Sequence, residues 1–415
     1  MCAMQEIPIV ISPNEETKRE MESIPADDLL AKIKNKENIN LKDAIILGDL
    51  DIAKLELARD EDDYVCIGSS IKIINSIIEG SVKFEKVIFL KSIVFSGTTI
   101  NGNMSFEFSK FERIADFSSI IINSNATFWQ AQFMDKVDFS PTHIKGPTFL
   151  KNSQIKGDAT FEFAKFFDLA DFSEAVFYKN SEFFGAEFDK EANFCETEFA
   201  EYAGFCSAKF KGDLIFWSAR FTCIQMEWGT ELSKFYVNWN DVRKTLVCDD
   251  GSTYLTMIKS FRELERFDDA DSCYYDYRKW SQRNKSFGWS KFADYLAWAT
   301  CGYGVRPSYT VFFSIFMIFL FGVLFQMATI FNTSPIQSTI YQNASAMSPQ
   351  SVLIWIQGIK YQSFFSSLAI SLRVFMTGDL SDLSGNEKNI SMVELPVRGL
   401  LFALFVVVLA KKLIK

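Results

Sequence analysis

Histidine is almost absent from this 415-residue chain, which carries only His143. That excludes histidine triads and argues against His-based metal sites. The eight cysteines include no Cys-x-x-Cys pair, so neither a zinc site nor a disulfide framework is indicated. Basic residues are outnumbered, 43 Lys and Arg against 52 Asp and Glu, for a net charge of −9. Binding of a nucleic-acid backbone, which needs clustered cations, is therefore not expected as the main role. No nucleophile, base and orienting group recur together, so the chain reads as a non-enzyme without cofactor or metal. Residues Met1–Ser12 carry neither a basic flank nor a long apolar run, and no signal peptide is expected. Glycine and proline are scarce at 20 and 9, whereas phenylalanine reaches 43. Such an excess of one apolar type points to a repeated structural position.

The apolar content is segregated. From Phe84 to Phe221 charges are interleaved throughout, but from Tyr309 to Phe331 there are 23 residues without one. At about 1.5 Å per residue that run reaches roughly 34 Å, enough to cross a bilayer core with some tilt. The chain reads as a membrane protein with a large soluble N-terminal part.

In the first half the large apolar residues fall at Phe84, Phe89, Phe95, Ile100, Phe106 and onward through Phe139, Ile144, Phe149, Ile155, Phe161, Phe166, Phe172, Phe177, Phe183, Phe188, Phe194, Phe199, Phe205, Phe210, Phe216 and Phe221. Steps of five and six alternate, giving a unit of eleven. The residue two before a centre is Ala, Ser or Thr in 18 of 26 cases, as at Ala170, Ala175, Ser181, Ala186 and Ala192. Neither a 3.6 nor a 2.0 period explains these steps. A solenoid with short edges and a corner every five or six residues does, with the centre and the small residue both pointing into a narrow core.

The segments ADFSEAVF and ANFCETEF resemble the pentapeptide-repeat family, and the resemblance covers about 140 residues. It implies a right-handed quadrilateral β-helix. Four edges per coil take about 22 residues, hence roughly six coils and about 30 Å of stack. Ile39–Leu57, with centres at Leu41, Ile46 and Leu50, reads as a degenerate first coil, and Pro25–Lys36 as a helix capping the open end. The first 14 residues are expected to be disordered. Between Phe161 and Glu201 eleven acidic residues face three lysines. That surface is either a solvated exterior, a site for a protein partner, or a mimic of DNA charge.

From Ser252 to Arg283 the period becomes 3.6, with Tyr254, Ile258, Phe261 and Leu264 followed, after a break at Asp268-Asp269, by Ala270, Tyr274, Tyr277 and Trp280. This predicts a helical hairpin. Trp289, Phe292, Tyr295, Leu296 and Trp298 then suit a membrane–water interface. Gly302-Tyr303-Gly304 superficially copies a potassium filter, but it precedes the span and reads as a turn. SFRELERFDDADSCYYDYR followed by GYGVRP resembles the connector of pentapeptide-repeat proteins that end in a two-span, potassium-channel-like module.

The remainder fits that layout: a first span at 309–331, a short apolar run at 364–376 suited to a re-entrant helix, a filter-like loop at 377–382 and a second span at 395–414. Aligned on Gly378-Asp379, the residues Val374, Phe375, Met376, Thr377, Gly378 and Asp379 lie over the family's filter. Met376 stands where the family has glycine and Val374 where it has threonine, so potassium selectivity is not expected. Arg373 and Asp382 are the charges at the pore mouth, and Arg373 is expected to turn toward Asp379 or Asp382. Lys411, Lys412 and Lys415 beyond the second span, and the bases before the first, place both termini in the cytoplasm of a multi-pass cell-membrane protein.

The expected organisation is a disordered start and capping helix (1–37), a β-helix (38–225), a helical connector (226–308) and a pore module (309–415). The expected role is a homotetrameric, cation-conducting channel subunit in contact with lipid. The alternative is a membrane-anchored interaction scaffold that does not conduct.

Overall fold

The computed structural model describes residues 21–226, 234–248, 251–333, 361–383 and 385–413. The disorder expected of the first 14 residues falls outside that set. The chain divides into two compact units, Met1–Tyr277 and Arg278–Lys415.

The first unit is a parallel β-solenoid of about ten turns. Most of its strands are two residues long, as at Ala115–Asp116 and Gln132–Phe133. In the regular coils each pairs in parallel with the residue 22 positions on: Phe111 faces Phe133, Ala115 faces Val137, and Ala126 faces Thr148. The pairs build two nine-stranded sheets and one 16-stranded sheet. The last covers two faces, because strand Glu198–Gly204 pairs with Val176–Phe177 at one end and Ser181–Glu182 at the other.

The predicted core residues from Phe161 to Phe210 are all fully buried. The 22-residue register stacks their rings directly. Phe161 lies 4.7 Å from Phe183, which lies 4.8 Å from Phe205, with interplanar angles of 2° and 4°. Phe172 stacks on Phe194, Phe177 on Phe199, and Phe166 on Phe188 and then Phe210. Ala170, Ala175, Ser181, Ala186 and Ala192 are buried beside them. Rings from one column meet those of the next edge-on, as Phe172 meets Phe183 at 87°. That arrangement satisfies the ring quadrupole better than a face-to-face pile alone.

One centre of the ladder is displaced by a residue. Leu150 is buried and Phe149 lies half-exposed on the outside. With Leu150 the steps of five and six alternate without interruption. The corners carry a second regularity. A left-handed backbone occurs every eleventh residue, at Asn75, Lys86, Gly97, Phe108, Ser119, Gln130, Asn152, Phe163, Glu174, Gly185, Glu196, Ser207 and Ser218. The one vacant step holds Pro141, whose ring forbids that angle. The conformation costs a side-chain-bearing residue on the order of 1 kcal/mol. It is offset because it turns the corner N–H toward the next coil: Phe108 N donates to Trp129 O at 2.8 Å, and Glu174 N to Cys195 O at 2.8 Å.

Both ends reach beyond the six coils of the Phe ladder. At the start, strand Glu22–Pro25 pairs with Ala44–Leu47, and helix α1 (Ala26–Lys34) buries Leu29, Leu30 and Ile33 in the core. In the first coil Ile39, Ile46 and Leu50 are buried, while Leu41 is only partly so. At the far end the coils do not stop at residue 225. Phe235–Tyr236 pairs with Leu214–Ile215, and Leu246–Val247 with Ile224–Gln225. A single turn, α2 (Trp239–Val242), and the helix α3 (Ser252–Glu263) close the core with Trp239, Met257 and Phe261.

The helical hairpin breaks at Leu264–Arg266 rather than at Asp268-Asp269, which lie in the first turn of α4 (Phe267–Asn284). Arg266 fixes the break. Its guanidinium donates to the Val237 carbonyl, Asn238 Oδ1 and Asp269 Oδ2, and lies 4.9 Å over the Trp217 ring.

On the outer surface the acidic stretch is interleaved with cations from neighbouring coils. Glu187 lies between Lys165 (3.3 Å) and Lys209 (2.7 Å); Asp189 pairs with Lys211, Glu198 with Arg220, and Glu174 with Lys151. His143 sits on the same face as Lys165, with its ring edge against Phe167, and burial lowers its pKa. Glu182 is different. Burial first, and then the neighbouring Glu162, push its pKa up to about 7. A carboxyl whose pKa is raised by folding favours the fold while protonated, and that contribution is lost as pH rises through the folded value. Glu182→Gln is therefore expected to change the thermal midpoint little at pH 4, below the unfolded value, and to raise it at pH 8.5. Equal shifts at both pH values would refute the assignment.

Candidate functional site in the membrane-capable module

The second unit begins with polar anchoring. Helix α5 (Trp289–Cys301) exposes Trp289, Phe292, Tyr295 and Leu296. Its Asp294 is buried and accepts from Arg278 at 2.7 Å and Lys285 at 2.5 Å. Burial alone would raise the pKa of that carboxyl, but the two cations hold it below its ordinary value. Gly302, Tyr303 and Gly304 all have positive φ and form the turn expected of them. Tyr303 is buried there, its hydroxyl 3.0 Å from Gln282 Oε1.

Helix α6 (Pro307–Thr333) starts on proline, where the missing N–H costs nothing. Its 22 residues from Pro307 to Ala328 reach about 33 Å. Phe312, Ile315, Phe316 and Phe319 are exposed along it, an apolar face suited to lipid. The described residues of helix α7 (Tyr361–Thr377) number 17 and reach about 25 Å, less than the roughly 30 Å of a bilayer core. It packs closely on α6, since a Cβ at Gly322 would stand 3.2 Å from Leu368 Cα. Helix α8 (Gly385–Leu413) has 29 residues and contains Pro396. Among the described residues, helices α6 and α8 are the two that are long and apolar enough to cross a membrane.

Helix α8 begins ten residues before the expected 395. Glu387 and Glu394, which lie before the expected span, are therefore helical, and Glu394 is fully buried. Between α6 and α7 two polar contacts lie inside otherwise apolar packing. Ser367 Oγ meets Gln326 Oε1 at 3.0 Å, and Ser371 Oγ meets the Ile318 carbonyl at 2.9 Å. Ser371 also meets Glu394 Oε1 at 2.7 Å.

The filter-like residues are not extended. Val374, Phe375, Met376 and Thr377 form the last turn of α7. The Val374 carbonyl accepts Gly378 N–H at 2.9 Å, and the Met376 carbonyl accepts Arg398 Nη2 at 3.1 Å. Within the chain these carbonyls run along a helix axis and do not stack as ion sites. Nothing in Val-Phe-Met-Thr interrupts a helix; the break comes at Gly378, whose φ of +72° is costly for other residues. Beyond it Thr377 Oγ1 accepts from Asp379 N–H, and Asp379 Oδ1 accepts from Ser381 N–H. Arg373 turns to Asp382 at 2.8 Å, one of the two partners expected for it.

Sequence reasoning missed two residues here. Arg398 holds the end of α7, and Glu394 joins α7 to α8. The available signal was an ionisable residue within an apolar helix, which marks a site by default. No protein-family model matches this chain, and no curated protein does. Its likeness to pentapeptide-repeat proteins rests on the repeat and the solenoid alone.

Proposed function

We propose that this chain is the pore-forming subunit of a homotetrameric, cation-conducting membrane channel that carries its solenoid in the cytoplasm. The observation that supports this most is the short helix α7. It is packed between two span-length helices and ends on a polar loop, Gly378–Leu383, that bears Asp379 and Asp382. One subunit cannot enclose a pore, and four such loops around an axis can. With Val374–Met376 helical, the constriction in this reading falls at Thr377, Gly378 and Asp379. A ring of Asp379 carboxylates concentrates cations, and the Arg373–Asp382 pair keeps the guanidinium from opposing them. Without a row of stacked carbonyls, sodium and potassium pass with little discrimination. The bases flanking the spans, including Lys291, Lys411 and Lys412, set both termini in the cytoplasm.

A second reading is favoured by the Arg398–Met376 contact, which ties up a carbonyl that a filter would use. In it, the helices anchor the solenoid as a scaffold, and the outer face of the coils recruits a protein partner.

Reconstitution of the full chain in liposomes separates the two. The channel reading expects cation flux, reversal potentials near zero for sodium against potassium, and at least a threefold loss of cation-over-chloride preference in Asp379→Asn. Absence of flux under voltage and tension, with cellular activity retained after deletion of residues 364–382, would leave the scaffold.

A further inference from the structure

The contacts around Ser371 pose a question of proton counting. A hydroxyl has one hydrogen to give. Ser371 Oγ lies within hydrogen-bond distance of two acceptors, the Ile318 carbonyl at 2.9 Å and Glu394 Oε1 at 2.7 Å. If Glu394 were ionised, one of these contacts would be two acceptors facing each other without a proton. Its other oxygen, Oε2, is buried without a hydrogen-bond partner, and both Ser371 and Glu394 are completely excluded from solvent. A carboxylate in that position has no compensation for its lost hydration.

Nor does a cation reach it. On α7 the charged side chain is Arg373, which is bonded to Asp382. Helix α6 carries no charged residue, and Tyr309 is its titratable group. On α8 Arg398, one turn further on, donates to the Met376 carbonyl, while Glu387 and Lys388 lie about two turns back. On α5 Asp294 is paired with Arg278 and Lys285, and Lys291 donates to the Lys285 carbonyl; Tyr295 is exposed. Among the described residues Glu394 belongs to no ion pair.

We infer that Glu394 is an intramembrane proton-binding site, held as the neutral acid, whose O–H donates to Ser371 while Ser371 donates to the Ile318 carbonyl. One bound proton thus completes a relay across α8, α7 and α6. Its removal leaves a bare carboxylate between the helices and breaks the relay at α7, the helix that carries the loop Gly378–Leu383, because the one Ser371 hydrogen then serves either Glu394 or the Ile318 carbonyl but not both. The inference rests on α6, α7 and α8 forming the membrane module, and not on conduction.

The test is infrared difference spectroscopy of the full chain in lipid, in H2O and D2O, for wild type, Glu394→Gln and Ser371→Ala. The probe is the proton itself. At pH 7 wild type should show the carbonyl stretch of a protonated carboxyl that shifts in D2O. Glu394→Gln should abolish that band, and Ser371→Ala should move it to higher frequency through loss of the hydrogen bond. A carboxylate band at pH 7, or a band unmoved in Ser371→Ala, overturns the proposal. A Glu394 signal that shifts between sodium and potassium buffers overturns it in favour of a metal cation. Thermal midpoints give an independent reading: wild type should lose stability at alkaline pH, and Glu394→Gln should not. Liposomes without ion flux would leave each of these readouts in place.

Discussion

Phe183→Ala should destabilise the solenoid by about 3–5 kcal/mol, the cost of removing a buried ring where the surroundings cannot collapse. Phe183 is fully buried and touches two stacked rings, Phe161 and Phe205, and three edge-on rings, Phe172, Phe177 and Phe194. The backbone cannot move inward to fill the void, because the coil spacing is fixed by strand pairing on every side. Since each coil meets only its neighbours, the damage should be local. Hydrogen exchange of the full chain is the measurement. Amides of the coils around 161–205 should exchange faster, while those near α1 change little. Tyr178→Ala, at an exposed ring, serves as the control and should stay within about 0.5 kcal/mol. A loss below 1 kcal/mol for Phe183→Ala would mean that the ring stack is not what sustains the coils.

Gly322→Leu should detach α7 from α6. A Cβ there would meet Leu368 Cδ1 at 3.1 Å and Leu368 Cα at 3.2 Å. The methyl can swing aside, but the backbone cannot, so even alanine forces a small separation, with a cost of about 1–3 kcal/mol. Leucine adds three more carbons at the closest point and should also disturb the Ser367–Gln326 and Ser371–Ile318 contacts on either side. Close approach through small residues is the usual basis of helix pairing in lipid. Amide exchange across 361–377 in reconstituted protein should rise at least tenfold in Gly322→Leu and far less in Gly322→Ala. Equal protection in the two variants would show that the glycine is incidental.

The solenoid was legible because its physics is periodic. A ring every five or six residues with a small residue two earlier has few other realisations, and the columns stand where the spacing puts them. The misplaced centre is instructive. Pro147 lies two before Phe149, but the small, buried Thr148 lies two before Leu150, so the companion position, rather than ring size, identified the inward residue. The extra turns were harder to see. Upstream the core is Ile and Val, and residues 52–64 lengthen one step, so that Ile46 pairs with Ile78 across 32 positions. Downstream Leu214, Ile224 and Phe235 continue the columns without regular small companions. In the second unit the two membrane-capable helices were legible from their charge-free stretches, 309–331 and 399–410. What stayed hidden was tertiary. That Arg398 holds the Met376 carbonyl from 22 residues away, and that Glu394 lies beside Ser371, are contacts no local pattern announces.

The 22-residue register also makes the length of the solenoid a quantised property. Excising 22 residues from its middle brings each column back onto itself, with strands, corners and rings still matched, and shortens the rod by one rung of roughly 4.8 Å. Excising 11 preserves the corner rhythm but carries each column to the opposite wall, so that the isoleucine column of Ile100, Ile122 and Ile144 would collide with a wall built for rings. The protein can therefore be lengthened or trimmed like a ladder, by whole rungs, while any other change in length must be looped out at a corner, as residues 52–64 are, or it dislocates every contact beyond it.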